Sequence, residues 1–412
     1  MNAMLVAARA AHFASAMLLF GGLVFVLLVV RPAPRDAGRA LLGGNDNIYR
    51  WLLRVAGWSL GVSIVSGVAW LAAEAAAMSG APLDQAIRRD ILELVVGKTV
   101  FGRLWVLRFG VAVALGALLL ATARAEGDKH RSRIATGALV VAAAYLATLA
   151  LAGHAAAGQG PERNLRVLSD AIHLLAAGAW VGALPALASM LGSAQPIDAA
   201  ARITRRFSSL GVVSVTALVL SGCLNSWYLV GDVPALIGTE YGRLLLVKLS
   251  LVAIMVTLAA VNRLSLTPRV EGRSQSALRV LRRNAVLEIA AGIGIVTVVG
   301  ALGVTIPAAH QSPVWPFDHT LSWDPAQQSP GIRAAVVALG LLVGAGACVA
   351  LWGVLRKRAP LWITGSASIA AAAAPGGWLL AVPAYPTTYV TSPAPYNTDS
   401  IVRGAALYRD GC

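Results

Sequence analysis

Four histidines of this chain, His12, His154, His173 and His310, are spaced so that they could hold a metal. A neutral imidazole nitrogen binds copper, zinc, nickel and iron, haem iron included. His12 stands in "ARAAHFASAMLLFGGL" (8–23) and His173 in "SDAIHLLAAGAWVGAL" (169–184). Aligned 161 residues apart, these segments also match Gly21 with Gly182 and Leu23 with Leu184. His154 and His310 close two later apolar stretches, 156 residues apart. A single histidine in apolar surroundings reads as a hydrogen-bonded packing residue. Four at repeat-related positions predict a metal site with His12, His154, His173 and His310 as ligands.

Neighbouring residues suggest how such a site would be supported. Asp170 precedes His173 by three positions and so shares its helix face, and Arg9 holds the same place before His12. Two roles are open to them. Arg9 and Asp170 pair across the axis between the repeats, neutralising two costly charges, or Asp170 accepts from an imidazole and orients it. Trp180, seven residues beyond His173, either packs over the site or fills the core. Arg103, Arg108, Arg243 and Lys248 lie near the same ends of their helices, and Arg103 and Arg243 are read as supports of the site or as snorkelling cations. Met4 and Met78 would bias a site towards Cu(I) if they joined it. Asn225, Asn262 and Glu288 are the polar candidates for an inward route.

These residues must be carried by membrane helices. The 412 residues are 57% hydrophobic and only 13% charged, with a mean hydropathy of +0.70, far from soluble domains. Ten stretches have the length and apolarity of a spanning helix, near 4–30, 52–78, 99–123, 134–156, 165–192, 207–230, 242–262, 284–306, 332–355 and 359–383. No basic segment precedes the first, and Arg9 interrupts it, so it reads as a span and not a cleaved signal. Cys223, Cys348 and Cys412 form no CxxC pair; Cys223 and Cys348 are expected to be buried packing residues.

The net charge of +15 suggests nucleic acid only until the basic residues are placed. With the N-terminus outside, the inner loops hold 20 Lys and Arg and the outer segments 7. That bias puts both termini outside the cytoplasm and explains the charge without nucleic acid. Five of the six histidines, His319 among them, then fall on the outer side, and His130 alone lies in a basic inner loop.

Further matches extend the repeat. "TVFGRLWVLR" (99–108) resembles "TEYGRLLLVK" (239–248), pairing Arg103 with Arg243 and Arg108 with Lys248. "WSLGVSIVSG" (58–67) and "SSLGVVSVTALVLSG" (208–222) share Ser-Leu-Gly and Ser-Gly. The expected fold is therefore an all-α polytopic membrane protein of about ten helices: two parallel four-helix repeats, about 1–157 and 165–310, and two extra helices. The expected organisation is a membrane domain over 1–310, a periplasmic loop over 311–331, two helices over 332–383 and a periplasmic tail over 384–412.

"DAIHLLAAGAWVGAL", "YGRLLLVKLSLVAIMVTLAAVNRLSLTP" and "LRRNAVLEIAAGIGIVTVVGALGVTIPAAH" resemble the CopD copper-resistance family of bacterial inner-membrane proteins, over roughly residues 1–310. The resemblance implies copper as the metal, a role in copper transport or homeostasis and not catalysis, and a separate periplasmic carrier of the CopC type as partner. Spacing alone does not separate copper from haem iron, and a membrane electron-transfer protein with b-type haem is the alternative. The tail "YNTDSIVRGAALYRDGC" (396–412) resembles the opening of a cytochrome c domain. That resemblance implies Cys412 as the first haem-attachment cysteine of a motif continuing in a longer form of the chain, with haem c as its cofactor.

Overall fold

The structure is a computed structural model that describes every residue except 1, 31–44, 154–159, 161, 193–195, 356–357, 385–393, 396 and 412. His154 and Cys412 therefore lie outside the described residues. Regular structure is helical apart from two short antiparallel strands, β1 (His319–Leu321) and β2 (Ala381–Pro383). Eight long helices form the first unit: α1 (Asn2–Val24), α2 (Asn45–Ser79), α3 (Val100–Arg124), α4 (Asp128–Ala147), α5 (Glu162–Trp180), α6 (Ile197–Leu229), α7 (Glu240–Val261) and α8 (Gln275–Leu302). Three more follow, α9 (Pro330–Leu355), α10 (Ala359–Leu380) and α11 (Thr398–Gly411). Among the described residues, nine helices are long and apolar enough to cross a membrane, so the chain is an all-α polytopic membrane protein. The tenth expected span is the helix α10, less apolar than the rest because Gly, Ser and Thr interrupt it. It packs against α9 where Gly346, Gly353 and Gly365 bring the two backbones together, the small-residue packing that lipid surroundings favour.

Two compact units divide the chain, Met1–Pro313 and Val314–Cys412. Within the first, α1 is central: 83% of its apolar window is buried, against 22% for the α6 span and 11% for the α7 span. It touches α2, α4, α5 and α8, while α6 and α7 turn most of their apolar surface outward, where lipid replaces the protein core. Cys223 on α6 and Cys348 on α9 are exposed, so the expected burial of both is corrected: a bilayer makes an outward position as acceptable to a thiol as a packed one.

The repeat is visible in the packing. α1 crosses the 3-10 turn Val181–Ala183 that follows α5, at Gly21 and Gly182, and a Cβ at either would overlap the backbone opposite. Equivalent residues in mutual contact mark a twofold relationship, so the pseudo-twofold axis passes through this crossing. Thr99 and Thr239 cap α3 and α7 alike, accepting from Gly102 N at 2.9 Å and Gly242 N at 3.0 Å. Each cap satisfies an otherwise unpaired helix-start amide. Short helices, Arg89–Lys98 and Val233–Gly238, precede both caps.

Candidate functional site

His12 and His173 each lie nine residues before the glycine at the crossing, on parallel helices, so they stand at the same level, about 13 Å from it. Each ring turns into its own repeat. A Cβ at Gly67 would lie 3.2 Å from His12 Cε1, and one at the matching Gly222 would lie 3.6 Å from His173 Cε1. His12 and His173 thus stand in two separate surroundings, one per repeat, and their chemistry differs.

In the first repeat both ring nitrogens of His12 are engaged. Arg108 Nη2 lies 2.7 Å from His12 Nε2. A guanidinium only donates, so Nε2 accepts and Nδ1 carries the proton, which it gives to Ser63 O at 2.8 Å. Arg108 also donates to Tyr145 O at 2.8 Å and to the Thr148 hydroxyl, and its guanidinium lies over the Tyr145 ring at 4.4 Å. Ser63 Oγ meets Tyr145 OH at 2.8 Å. Trp105 and Trp70 flank the imidazole with centroids 5.2 and 5.7 Å away. His12, Ser63, Trp70, Arg108 and Tyr145 are all buried. One residue or more from each of α1, α2, α3 and α4 thus enters a closed polar core, which spreads the arginine charge over carbonyl, hydroxyl, imidazole and π faces.

In the second repeat the imidazole is open. Ser221 Oγ donates to Ala217 O at 2.6 Å, so in its 2.9 Å bond to His173 Nδ1 it accepts and Nδ1 carries the proton. Among the described residues none is hydrogen-bonded to its Nε2, and His173 is only partly buried. Around it Ser169 Oγ donates to Asn225 Oδ1 at 2.7 Å, and Asn225 Nδ2 reaches Asp170 Oδ1 at 3.4 Å. Lys248, the counterpart of Arg108, acts electrostatically on both Asp170 and His173, as Asp170 does on Tyr241. Where the first repeat is aromatic, the second is polar.

The remaining sequence candidates divide accordingly. Arg9 does not pair with Asp170: its guanidinium lies 4.4 Å over Trp70 and packs against Gly303, while Glu74 accepts from Trp70 Nε1 at 3.3 Å. The cation that acts electrostatically on Asp170 is Lys248. Arg103 and Arg243 are exposed; five residues further along each helix, about 140 residues apart in sequence, Arg108 and Lys248 supply the inward cations that Arg103 and Arg243 were expected to provide, because a shift of five positions turns a helical side chain well around the axis. Trp180 is buried away from His173 and lines a cleft with Glu288. His310 is exposed, in a single turn, Ala308–His310, after α8, and Met4 and Met78 are exposed too. Gly153, the residue before His154, is described, and a Cβ on it would lie 3.8 Å from Asp170 Oδ2. Among the described residues no three His, Cys, Asp or Glu side chains come together as a metal cluster.

Sequence reasoning missed Ser63, Trp70, Trp105 and Tyr145 entirely, and gave Arg108 and Lys248 no role at the histidines. Its traces were present in the matched Ser66-Gly67 and Ser221-Gly222 pairs, which face the two histidines.

A two-repeat helical membrane protein with one closed and one open histidine centre is the class these features define. The chain belongs to the copper resistance protein D family. Residues 1–165 match the copper resistance protein D-like N-terminal domain and residues 201–302 match copper resistance protein D. Copper resistance protein D of Pseudomonas syringae pv. tomato is 31% identical over 313 residues, covering 73% of this chain and 96% of that protein. Inner membrane protein YebZ of Escherichia coli K12 is 31% identical over 304 residues, covering 73% of this chain and 98% of its own length. Copper transport protein CutJ of Bacillus subtilis 168 is 26% identical over 281 residues, 68% of this chain and 50% of that protein.

Proposed function

We propose that the protein transports copper across the bacterial inner membrane, accepting it at the second repeat through His173 Nε2 with Asp170 beside it. The observation that carries this reading is that His173 is bonded to Ser221 through Nδ1 while no described residue is hydrogen-bonded to its Nε2. A ligand whose other nitrogen is anchored is the usual arrangement at metal sites. Asp170 supplies negative charge for a cation leaving water, and Lys248 keeps that carboxylate compensated while the site is empty.

The family supports copper as the cargo, since the names of relatives include copper resistance and copper transport, and the inner membrane as the location. The basic-loop bias supports periplasmic termini and hence a periplasm-facing His173. His154 follows Gly153, which abuts Asp170, and His310 stands two residues after Ala308, which packs in the same small apolar cluster as Tyr241; in this reading both are further ligands, His154 from the end of the first repeat and His310 from the end of the second. His12 belongs to the framework. Copper arrives from a periplasmic carrier of the CopC type, a soluble donor that an open, partly exposed imidazole can meet.

Copper titration of the detergent-purified chain, with an absorption spectrum on the same sample, tests the reading. Stoichiometric copper binding that His173→Ala removes and His12→Gln retains is expected. A Soret band in place of copper would replace transport by haem-based electron transfer.

A further inference from the structure

We propose that Glu288 is a proton-binding site of the membrane domain, and that a copper ion entering the second repeat displaces its proton into the cleft beside it; the coupling rests on the copper reading above, the proton site does not.

Glu288 lies on α8 and is 2% exposed. Its Oε1 accepts from Asn262 Nδ2 at 2.7 Å, and Asn262 Oδ1 accepts from Asn284 Nδ2 at 2.8 Å. Asn262 opens a π-helical turn, Asn262–Leu266, at the end of α7. Pro268 follows that turn and cannot donate to Leu264 O, and Thr267 Oγ1 instead reaches back to Asn262 O at 2.8 Å. Such widened turns are frequent at functional positions.

Glu288 lines a largely apolar cleft of about 260 Å³ between α5, α6, α7 and α8, with Thr204, Ser208 and Thr267 among the other lining residues. Glu288 stands five residues, about 7.5 Å, from Arg283 at the basic end of α8. The charged groups near it from the packed elements are few. Arg263 lines the cleft and donates to Ser208 Oγ at 2.8 Å. Arg282 packs against Gly192. Arg9, the charged side chain that α1 places against α8, meets Gly303 fifteen residues, about 22 Å, further along the helix. Among the described residues no lysine or arginine forms an ion pair with Glu288.

A carboxylate buried at membrane depth without a cation is costly, and carrying a proton removes the cost. When a cation enters the same repeat, the balance reverses: the O–H bond of Glu288 breaks, its electron pair stays on the carboxylate, and the proton passes to water in the cleft. Trp180, seven residues past His173 and about 10 Å along α5, lines the same cleft as Glu288. Hard oxygen ligands suit a proton better than a soft copper ion. The first repeat carries Thr122 and Ser132 at the offsets that match Asn262 and Glu288, so the carboxyl belongs to the same half as the open histidine.

Infrared spectroscopy of the full chain in lipid nanodiscs decides it. A protonated-carboxyl C=O band at neutral pH, moved by D2O and absent from Glu288→Gln, is expected; copper ions at saturation should diminish it in the wild type. Glu288→Gln preserves size and the Asn262 bond, and if it fails to fold, Asn262→Ala should shift the same band by removing that bond. Absence of any band assignable to Glu288 from mildly acid to mildly alkaline pH overturns the proton site. A band that bound copper leaves unchanged overturns the coupling. Loss of copper binding in Glu288→Gln would make the residue a metal ligand and overturn the proposal. A wild type that binds no copper fails the transport reading and with it the coupling, while the band still decides the proton site.

Discussion

Arg108 Nη2 stands 2.7 Å from His12 Nε2 and closes the ring nitrogen that His173, the repeat counterpart, keeps open. The same helix position thus serves as a keystone in one half and, in the proposed reading, as a ligand in the other. The difference lies in the cation: a planar guanidinium reaches the ring and several acceptors at once, whereas the counterpart lysine carries a compact charge beside Asp170.

His12→Ala should therefore destabilise the fold and leave copper affinity in the surviving protein unchanged. Removing the imidazole leaves the buried Arg108 short of an acceptor, a loss on the order of 3 kcal/mol. Thermal unfolding in detergent, with copper titration on the folded fraction, checks both halves. A His12→Ala protein of wild-type stability would show that the first-repeat core is not the framework described.

His173→Ala should weaken copper binding by about tenfold or more, since even residues that merely orient ligands cost that much. Its stability should change little, because the ring is only partly buried and its hydrogen-bond partner Ser221 keeps its own bond to Ala217. His130→Ala, in a basic loop, is the matched control, and equal copper affinity in the His173 and His130 variants would remove His173 from the site.

Asp170→Asn should also reduce copper affinity, and a further Lys248→Met change should restore part of it. With the carboxylate neutralised, Lys248 faces the incoming cation uncompensated; removing it relieves that repulsion. A double-mutant cycle on copper dissociation constants reads the coupling, and strictly additive effects would deny that the two charges act on one ion.

Gly182→Val should separate the halves. Any side chain there overlaps the Met17 carbonyl at the crossing with α1, and backbone cannot yield as a flexible side chain can. Loss of monodisperse protein in detergent is the expected result. Arg103→Gln and Arg243→Gln, on exposed positions, should by contrast leave both stability and copper binding near wild type.

Cysteines placed at Gly160 and Pro395, in a chain whose own cysteines are replaced, should react with a membrane-impermeant reagent from the periplasm, and one at Gln275 should not. Labelling of Gln275→Cys in intact cells would invert the topology read from the basic loops.

The sequence by itself determined the architecture. Long apolar stretches cannot leave backbone groups unpaired in lipid, so they must be helices, and the order of the repeats and even the crossing glycines Gly21 and Gly182 are written in linear spacing. It also marked the positions of His12 and His173, because a polar residue at membrane depth stands out against an apolar background. Only the tertiary structure decided which imidazole is open. That depends on whether Arg108 or Lys248, Trp70 or Asn225, Tyr145 or Asp170 meets the ring, and these residues come from helices tens to more than a hundred positions away. The same holds for Glu288, whose partners Asn262 and Asn284 look like ordinary interfacial polar residues until α7 and α8 pack. Helix formation is local and legible along the chain; the hydrogen-bond partner of a buried nitrogen is set by which helices meet and at what rotation.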